Sequence, residues 1–377
     1  MLRAMIAATL LLALPVATHA AGLKPKLDAF KAFARDYQAQ NGVLSMSYAI
    51  AKDGEIVAAE GFGWMDHDAE EPTTADTTYL VASITKTFTA ATLLAMDADG
   101  VIDLDDDFTT LSDWDERCRR LSVSGNIFGG GQMLAEGYRP PRIRCGARIS
   151  LRDVLRMRVL GEPGTNFLYN PIVFGRLSNW VEEKTGVSFQ RWMRHYVIDK
   201  TDLENIAAGW RDARGGHALR LLAPPFRYAP EERARFEPTA LPNPELNGSS
   251  GIIASPRTLA AYSIALDEGR ILPPELLREM WTPPQEANGS PASYAHGWWS
   301  QEWRGQRLVW HGGWWPEAYA GFLLKVPDKR LTLVVYGNTD GLHWGNPLGR
   351  AEIEKSAVAL RFLELFAVES EDIALRP

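Results

Sequence analysis

The stretch Leu80–Ala90, LVASITKTFTA, opens an apolar helix but carries a lysine, Lys86, three places after a serine, Ser83. Residues three apart on a helix sit on neighbouring faces, with Cβ atoms about 5–6 Å apart, so the amine can reach the hydroxyl. A free lysine, with a pKa of about 10.4, is a poor base at neutral pH. Burial and a nearby cation or dipole lower that value until the amine can accept a proton. A serine near the helix start also feels the N-terminal dipole as it becomes an alkoxide. Ser-x-x-Lys alone is a weak motif, expected about once by chance in a chain this long. Here it occurs once, at the start of an apolar helix, which is the context the chemistry needs.

Outward from this stretch, Ile84, Phe88, Ala91 and Ala95 continue the apolar stripe and Gly100 ends the helix. Upstream, VLSMSYAIA and EIVAAEGFG flank Lys52-Asp53-Gly54, a hairpin signal, and Lys26–Gln40 has helical spacing. Downstream, helices are expected at Ser150–Arg158, Ile172–Thr185, Phe189–Tyr196 and Ser255–Glu268. Trp114–Arg148 reads as a long irregular loop, and Gly209–Pro244 carries no clear assignment. RLVWHGG, YAGFLLKV and LTLVVYGN are strand-like, and Ala351–Phe366 is a closing helix. The layout predicts an α+β fold, an α/β sandwich. An antiparallel sheet built from both chain ends (about 22–82 and 290–377) is flanked by terminal helices, with an inserted, mainly helical subdomain (about 83–289).

Composition narrows the function. The 377 residues are 46% hydrophobic with a formal net charge of −7, enough for a large core and unlike a phosphate-binding surface, so nucleic acid is not an expected partner. Residues 1–20, MLRAMIAATLLLALPVATHA, read as a signal peptide cleaved after Ala20. The apolar run is too short to span a bilayer, so residues 21–377 are expected as a single exported domain, periplasmic or secreted, without stable membrane insertion. Export makes Cys118 and Cys145 candidates for a disulfide, with two separate thiols the alternative. Neither their spacing nor the seven histidines form a metal motif, and no metal or cofactor is expected. An α/β-hydrolase would need Gly-x-Ser-x-Gly, and Gly248-Ser249-Ser250-Gly251 has the wrong spacing.

With these residues in view, the chain resembles the serine β-lactamase and penicillin-binding-protein superfamily, nearest the branch of class C β-lactamases, D-stereospecific peptidases and esterases. Gly42–Phe108 is similar to the segment holding Ser-x-x-Lys, Pro163–Gly186 to that holding Tyr-x-Asn, and Trp310–Asn338 to that of the third motif. NGSSGIIASPRTLAAYSIAL is similar to the glycine-rich turn and helix between them. The resemblance implies Ser83 as acylated nucleophile, Lys86 as its activating partner and Tyr169 as catalytic tyrosine, a phenolate or one member of a shared proton network. The backbone N–H groups of Ser83 and Trp314 would form the oxyanion hole, with His311, Gly312, Gly313 and Trp315 binding substrate.

Two positions depart from the pattern. Pro171 stands where the second motif has asparagine, and it can neither donate to a substrate carbonyl nor orient Lys86. Asn170 is one place early and is expected to point elsewhere. His311 stands where many members have lysine and is mostly neutral at pH 7, which weakens any fixed cation for a substrate carboxylate. Both departures point to an esterase or D-peptidase-like hydrolase of a small-molecule or peptide acyl substrate, with weak or no β-lactamase activity. The rival is a non-catalytic binding or sensing module. Of the tryptophans at 298, 299, 303, 310, 314 and 315, most are expected in the sheet core, with Trp314 and Trp315 walling the cleft.

Overall fold

The computed structural model describes residues 16–66, 70–124, 142–201, 203–230, 235–242, 245–346 and 350–368. The leader expected at 1–20 falls mostly on residues 1–15, outside the described residues, so its cleavage stays an expectation.

The hairpin at Asp53-Gly54 forms. Both residues have positive φ, +54° and +91°, the combination that a tight two-residue turn between right-twisted strands requires. The strands it joins, Ser45–Lys52 and Glu55–Asp66, belong to a seven-stranded antiparallel sheet. Its order is Glu71–Pro72, Glu55–Asp66, Ser45–Lys52, Leu331–Gly337, Tyr319–Val326, Gln306–Trp315, Trp299–Trp303. The chain ends meet where Met46 pairs with Gly337 and Lys52 with Leu331. Tyr319–Val326 and Leu331–Gly337 are buried along their whole length, which is why they read as continuous apolar runs rather than alternating ones.

Alternation along Ser45–Lys52 puts Tyr48 and Ala51 on opposite faces. On the Tyr48 face lie the terminal helices, Val16–Gln40 and Ala357–Phe366, with Phe30 packed edge-on to both Tyr48 and Phe362. On the other face, beside Thr332 opposite Ala51, lies the helix Pro256–Asp267, whose Ser263 hydroxyl is 2.7 Å from that of Thr332. Beyond it Phe88, on the helix Thr85–Ala98, stacks on Tyr262 at 3.9 Å. The result is the expected sandwich, although Pro256–Asp267 covers the sheet despite falling in the middle of the chain.

Several local expectations change. Trp114–Ser124 is a helix rather than irregular chain. Asp115 and Glu116 suit its N-terminal dipole, Arg117–Asp113 and Arg120–Glu116 pair one turn apart, and Trp114 and Cys118 share its buried face. Cys118 is bonded to Cys145, so the two thiols are not separate; residues 125–141 of the intervening segment lie outside the described residues. The expected helix at 172–185 is two, Pro171–Gly175 and Leu177–Thr185. The closing helix begins at Ala357, capped by Ser356, rather than at 351. The proline- and arginine-rich region contains a short helix, Gly216–Arg220, and a hairpin pairing Phe226–Ala229 with Arg235–Pro238.

Candidate active site

Ser83 is placed by a short strand and a strained turn. Tyr79–Leu80 pairs with Ile252–Ala254 in a second, three-stranded sheet, and the Val81 N–H donates to the Ile252 carbonyl at 2.9 Å. Ala82 follows at φ +44°, a left-handed conformation that costs a non-glycine residue about 1–3 kcal/mol. The chain then turns through Ala82–Ile84 into Thr85–Ala98, leaving Ser83 half-buried at the helix N-terminus. The strain is spent on aiming the hydroxyl.

Lys86 is completely buried, with Nζ 2.8 Å from Ser83 Oγ. The same nitrogen donates to the Ser249 carbonyl oxygen at 3.1 Å. Neither partner is charged, and burial holds the amine well below its ordinary pKa of 10.5. Ser249 belongs to a turn knotted by Asn247, whose Oδ1 accepts the Ser249 N–H at 2.8 Å, the Ser249 hydroxyl at 3.0 Å and the Ser250 N–H at 3.2 Å.

Tyr169, also buried, hydrogen-bonds Ser83 through its hydroxyl, and its ring stacks on Trp299 at 5.7 Å. Burial pushes the phenol far up from 10.0, the Ser83 bond opposing only in part. Burial thus opposes the charged form of both groups, lowering the amine and raising the phenol, which disfavours the expected phenolate alternative. Asn170 turns away, as its offset requires. Its Oδ1 accepts the Val173 N–H at 3.1 Å and caps Pro171–Gly175, with Pro171 as first helical residue. Pro171 itself faces the cleft.

The third motif lies on Gln306–Trp315. Gly313 faces Val81 and Tyr336; an added Cβ would collide with the Val81 carbonyl and the Tyr336 hydroxyl, so only glycine lets this strand approach the Ser83 turn. His311 is buried with both ring nitrogens engaged. Its Nδ1 lies 2.6 Å from the Gly312 carbonyl oxygen, so Nδ1 carries the proton and Nε2 accepts from the Tyr294 hydroxyl at 3.0 Å. Burial, reinforced by Lys86, lowers its pKa to about 3. His311 is neutral, and neither nitrogen is free for a substrate.

These groups surround a cleft of about 1,010 Å³. Ser83, Lys86, Tyr169, His311, Gly312, Gly313, Trp314 and Trp315 all line it, so the structure brings the expected residues together. Trp298, Trp299, Trp303 and Trp310 are buried, while Trp314 and Trp315 are half-exposed at the wall, as expected. Among the described lining residues the lysine and arginine side chains are Lys86 and Arg176, with no carboxylate; Arg176 is itself tied to Asp113 at 2.7 and 2.8 Å. Also among the described residues, no cluster of three His, Cys, Asp or Glu side chains could hold a metal, and no helix is long and apolar enough to cross a membrane.

Residues 30–357 match the family model described as Beta-lactamase, nearly the whole of the described chain. The chain belongs to the β-lactamase family. The family places it among the serine hydrolases related to β-lactamases and penicillin-binding proteins, in agreement with the resemblance read from its motifs. A D-aminopeptidase of Gluconobacter oxydans is 28% identical over 304 residues, covering 77% of this chain and 55% of the relative. This β-lactamase-family chain spans between 55% and 60% of the length of the first curated relatives it matches. A D-amino acid amidase from Ochrobactrum anthropi, solved with D-phenylalanine, superposes with a TM-score of 0.68 at 18% identity, covering 91% of this chain and 99% of the amidase. An octameric penicillin-binding-protein homologue from Pyrococcus abyssi does so with a TM-score of 0.64 at 20% identity, covering 85% and 76%. At these identities the superpositions establish the shared fold.

Motif reading missed three parts of this β-lactamase-family site. The Ser249 carbonyl acts through the backbone, which no side-chain motif records. Tyr294 meets His311 only through the folding of Tyr294–Trp299 against the strand. His343 and Trp344 reach the cleft from a turn beyond the last sheet strand.

Proposed function

We propose that the protein is an exported, periplasmic or secreted, serine hydrolase that forms an acyl-enzyme on Ser83. The observation that carries this is the buried Lys86 amine 2.8 Å from Ser83 Oγ, held by burial well below its ordinary pKa. As Oγ attacks an ester or amide carbonyl, its proton passes to Lys86 Nζ. The tetrahedral oxyanion is met by the backbone N–H groups of Ser83 and Trp314, with the dipole of Thr85–Ala98 behind Ser83. On collapse the carbonyl–leaving-group bond breaks, and Tyr169 protonates the departing alkoxide or amine. Lys86 returns its proton to Tyr169. Water then attacks the acyl group, and the same pair carries its proton back to Ser83 Oγ. Gly312 and Gly313 let the substrate approach the strand, Trp315 walls the cleft, and His311 stiffens the strand from within.

The substrate class is an ester or amide of the kind taken by D-peptidases and esterases. The D-aminopeptidase relatives and the D-amino acid amidase fold support D-amino acid amides as first candidates. β-Lactams should be poor substrates, because Pro171 supplies no amide donor and His311 no fixed cation.

Intact-mass spectrometry after a fluorophosphonate probe tests the reading. One adduct on the native protein and none on Ser83→Ala is expected; no native adduct, or an equal one on the variant, overturns it and favours a binding module. Turnover of nitrocefin approaching that of p-nitrophenyl esters would overturn the substrate assignment.

A further inference from the structure

The strand holding the third motif ends in a tryptophan whose ring is not left to find its own place. Because Gly313 faces inward, alternation turns Trp314 to the opposite face of Gln306–Trp315. There its indole Nε1–H donates to Asp340 Oδ1 at 2.7 Å. The other carboxylate oxygen accepts the Glu317 N–H at 2.8 Å, tying down the turn that follows the strand. The indole lies flat on His343, with ring centroids 4.2 Å apart and planes 15° apart. Both rings line the cleft.

Asp340 is a firm anchor. Its turn, Asp340–Leu342, is capped by Thr339, whose hydroxyl donates to the Gly42 carbonyl at 2.7 Å, and the Tyr37 hydroxyl donates to the Gly341 carbonyl at 2.9 Å. The indole orientation is thereby tied to the N-terminal helix and the sheet, not to the mobile preferences of a half-exposed side chain. A free indole would sample several rotamers and offer an aromatic substrate no fixed face.

We infer that Asp340 is a positioning residue for substrate specificity: it locks the Trp314–His343 stack so that the cleft selects substrates with a planar aromatic group close to the scissile carbonyl. The position of the group follows from the geometry. Trp314 also supplies the proposed oxyanion N–H, and its ring, on the strand face opposite Gly313, lines the same cleft as Ser83, so a substrate held at that N–H meets the ring across the strand edge. Trp314, Trp315, His343 and Trp344 all line the cleft, so ring faces are what this part of it offers a substrate. The inference rests on the acyl-enzyme reading only in naming the carbonyl; the stack and its anchor stand without turnover.

The test compares p-nitrophenyl phenylacetate with p-nitrophenyl acetate, which share a leaving group and differ in the aromatic ring. Asp340→Ala is expected to lower the phenylacetate-to-acetate ratio of kcat/KM at least about fivefold, mainly through KM, the scale expected for one aromatic contact. Asp340→Asn keeps an acceptor for the indole and should retain most of the preference. Trp314→Phe, which loses the N–H and keeps a ring, should resemble Asp340→Ala, and the double variant should be no worse than either single. An unchanged ratio in Asp340→Ala, or additive losses in the double variant, overturns the proposal. A second arm needs no chemistry: on Ser83→Ala, phenylacetate binding followed by NMR titration should weaken by about the same factor when Asp340→Ala is added. Unchanged binding overturns the clamp. Weakened binding in a protein whose native Ser83 takes no probe overturns the acyl-enzyme reading and supports the clamp.

Discussion

The Tyr294 hydroxyl and His311 Nε2 stand 3.0 Å apart, fully buried, and His311 Nδ1 closes on the carbonyl of its own neighbour Gly312. The third-motif histidine is thus a brace between the sheet and the segment before Trp299. His311→Phe should strand the buried Tyr294 hydroxyl and destabilise by about 1–3 kcal/mol, and adding Tyr294→Phe should recover part of the loss. Denaturant unfolding of the two singles and the double checks this. Additive losses would count against the brace.

The same histidine carries a pH dependence. Its folded pKa of about 3 lies below its ordinary 6.5, so the unfolded chain binds more protons between those values. Its contribution is intact above pH 6.5 and is lost as pH falls toward 3. Melting curves from pH 7 to 4 should show a steeper decline in the native protein than in His311→Gln, which cannot take up the proton.

Lys86 trades stability for reactivity. With its folded pKa well below 10.5, the unfolded state holds more protons below that value, and stability falls as pH drops from there toward the folded pKa. Lys86→Met should therefore raise the melting temperature at pH 7 by a few degrees while lowering kcat/KM on esters by roughly 10²–10⁴. In the native protein kcat/KM should fall as pH drops through the lowered amine pKa. A melting temperature that falls in Lys86→Met would argue that the amine is held charged.

Gly313→Ala should abolish acylation, since the new methyl meets the Val81 carbonyl and the Tyr336 hydroxyl and must push the strand from the Ser83 turn. Adding Tyr336→Phe removes one obstacle but leaves the backbone carbonyl, so rescue should be slight. Probe labelling of Ser83 in both variants is the measurement; normal labelling of Gly313→Ala would show that the strand can yield.

Cys118–Cys145 closes a separation of 27 residues, for which chain entropy gives roughly 3.5 kcal/mol. Cys118→Ser and Cys145→Ser should each lower the denaturation midpoint by a similar amount, and reducing agent should do so only in the native protein. Indifference to reductant would mean that the bridge contributes nothing.

Read alone, the sequence determined the parts whose chemistry is local. The hairpin follows from Asp53-Gly54, the apolar strands from their composition, and the Ser83–Lys86 pair from a three-residue spacing that any helix brings together. Tertiary structure decided what depends on distant backbone. The helix at Trp114–Ser124 was hidden because its polar, arginine-rich face outweighs a narrow buried stripe of Trp114 and Cys118. The directions in which the two pKa values move follow from the burial of Lys86 and Tyr169, which no spacing reveals. The Ser249 carbonyl at Lys86 and the Asp340 carboxylate at Trp314 join residues 163 and 26 positions apart. Side-chain patterns record what each residue can do; packing alone decides which donor meets which acceptor, and with it the charge state and orientation of the groups in the cleft.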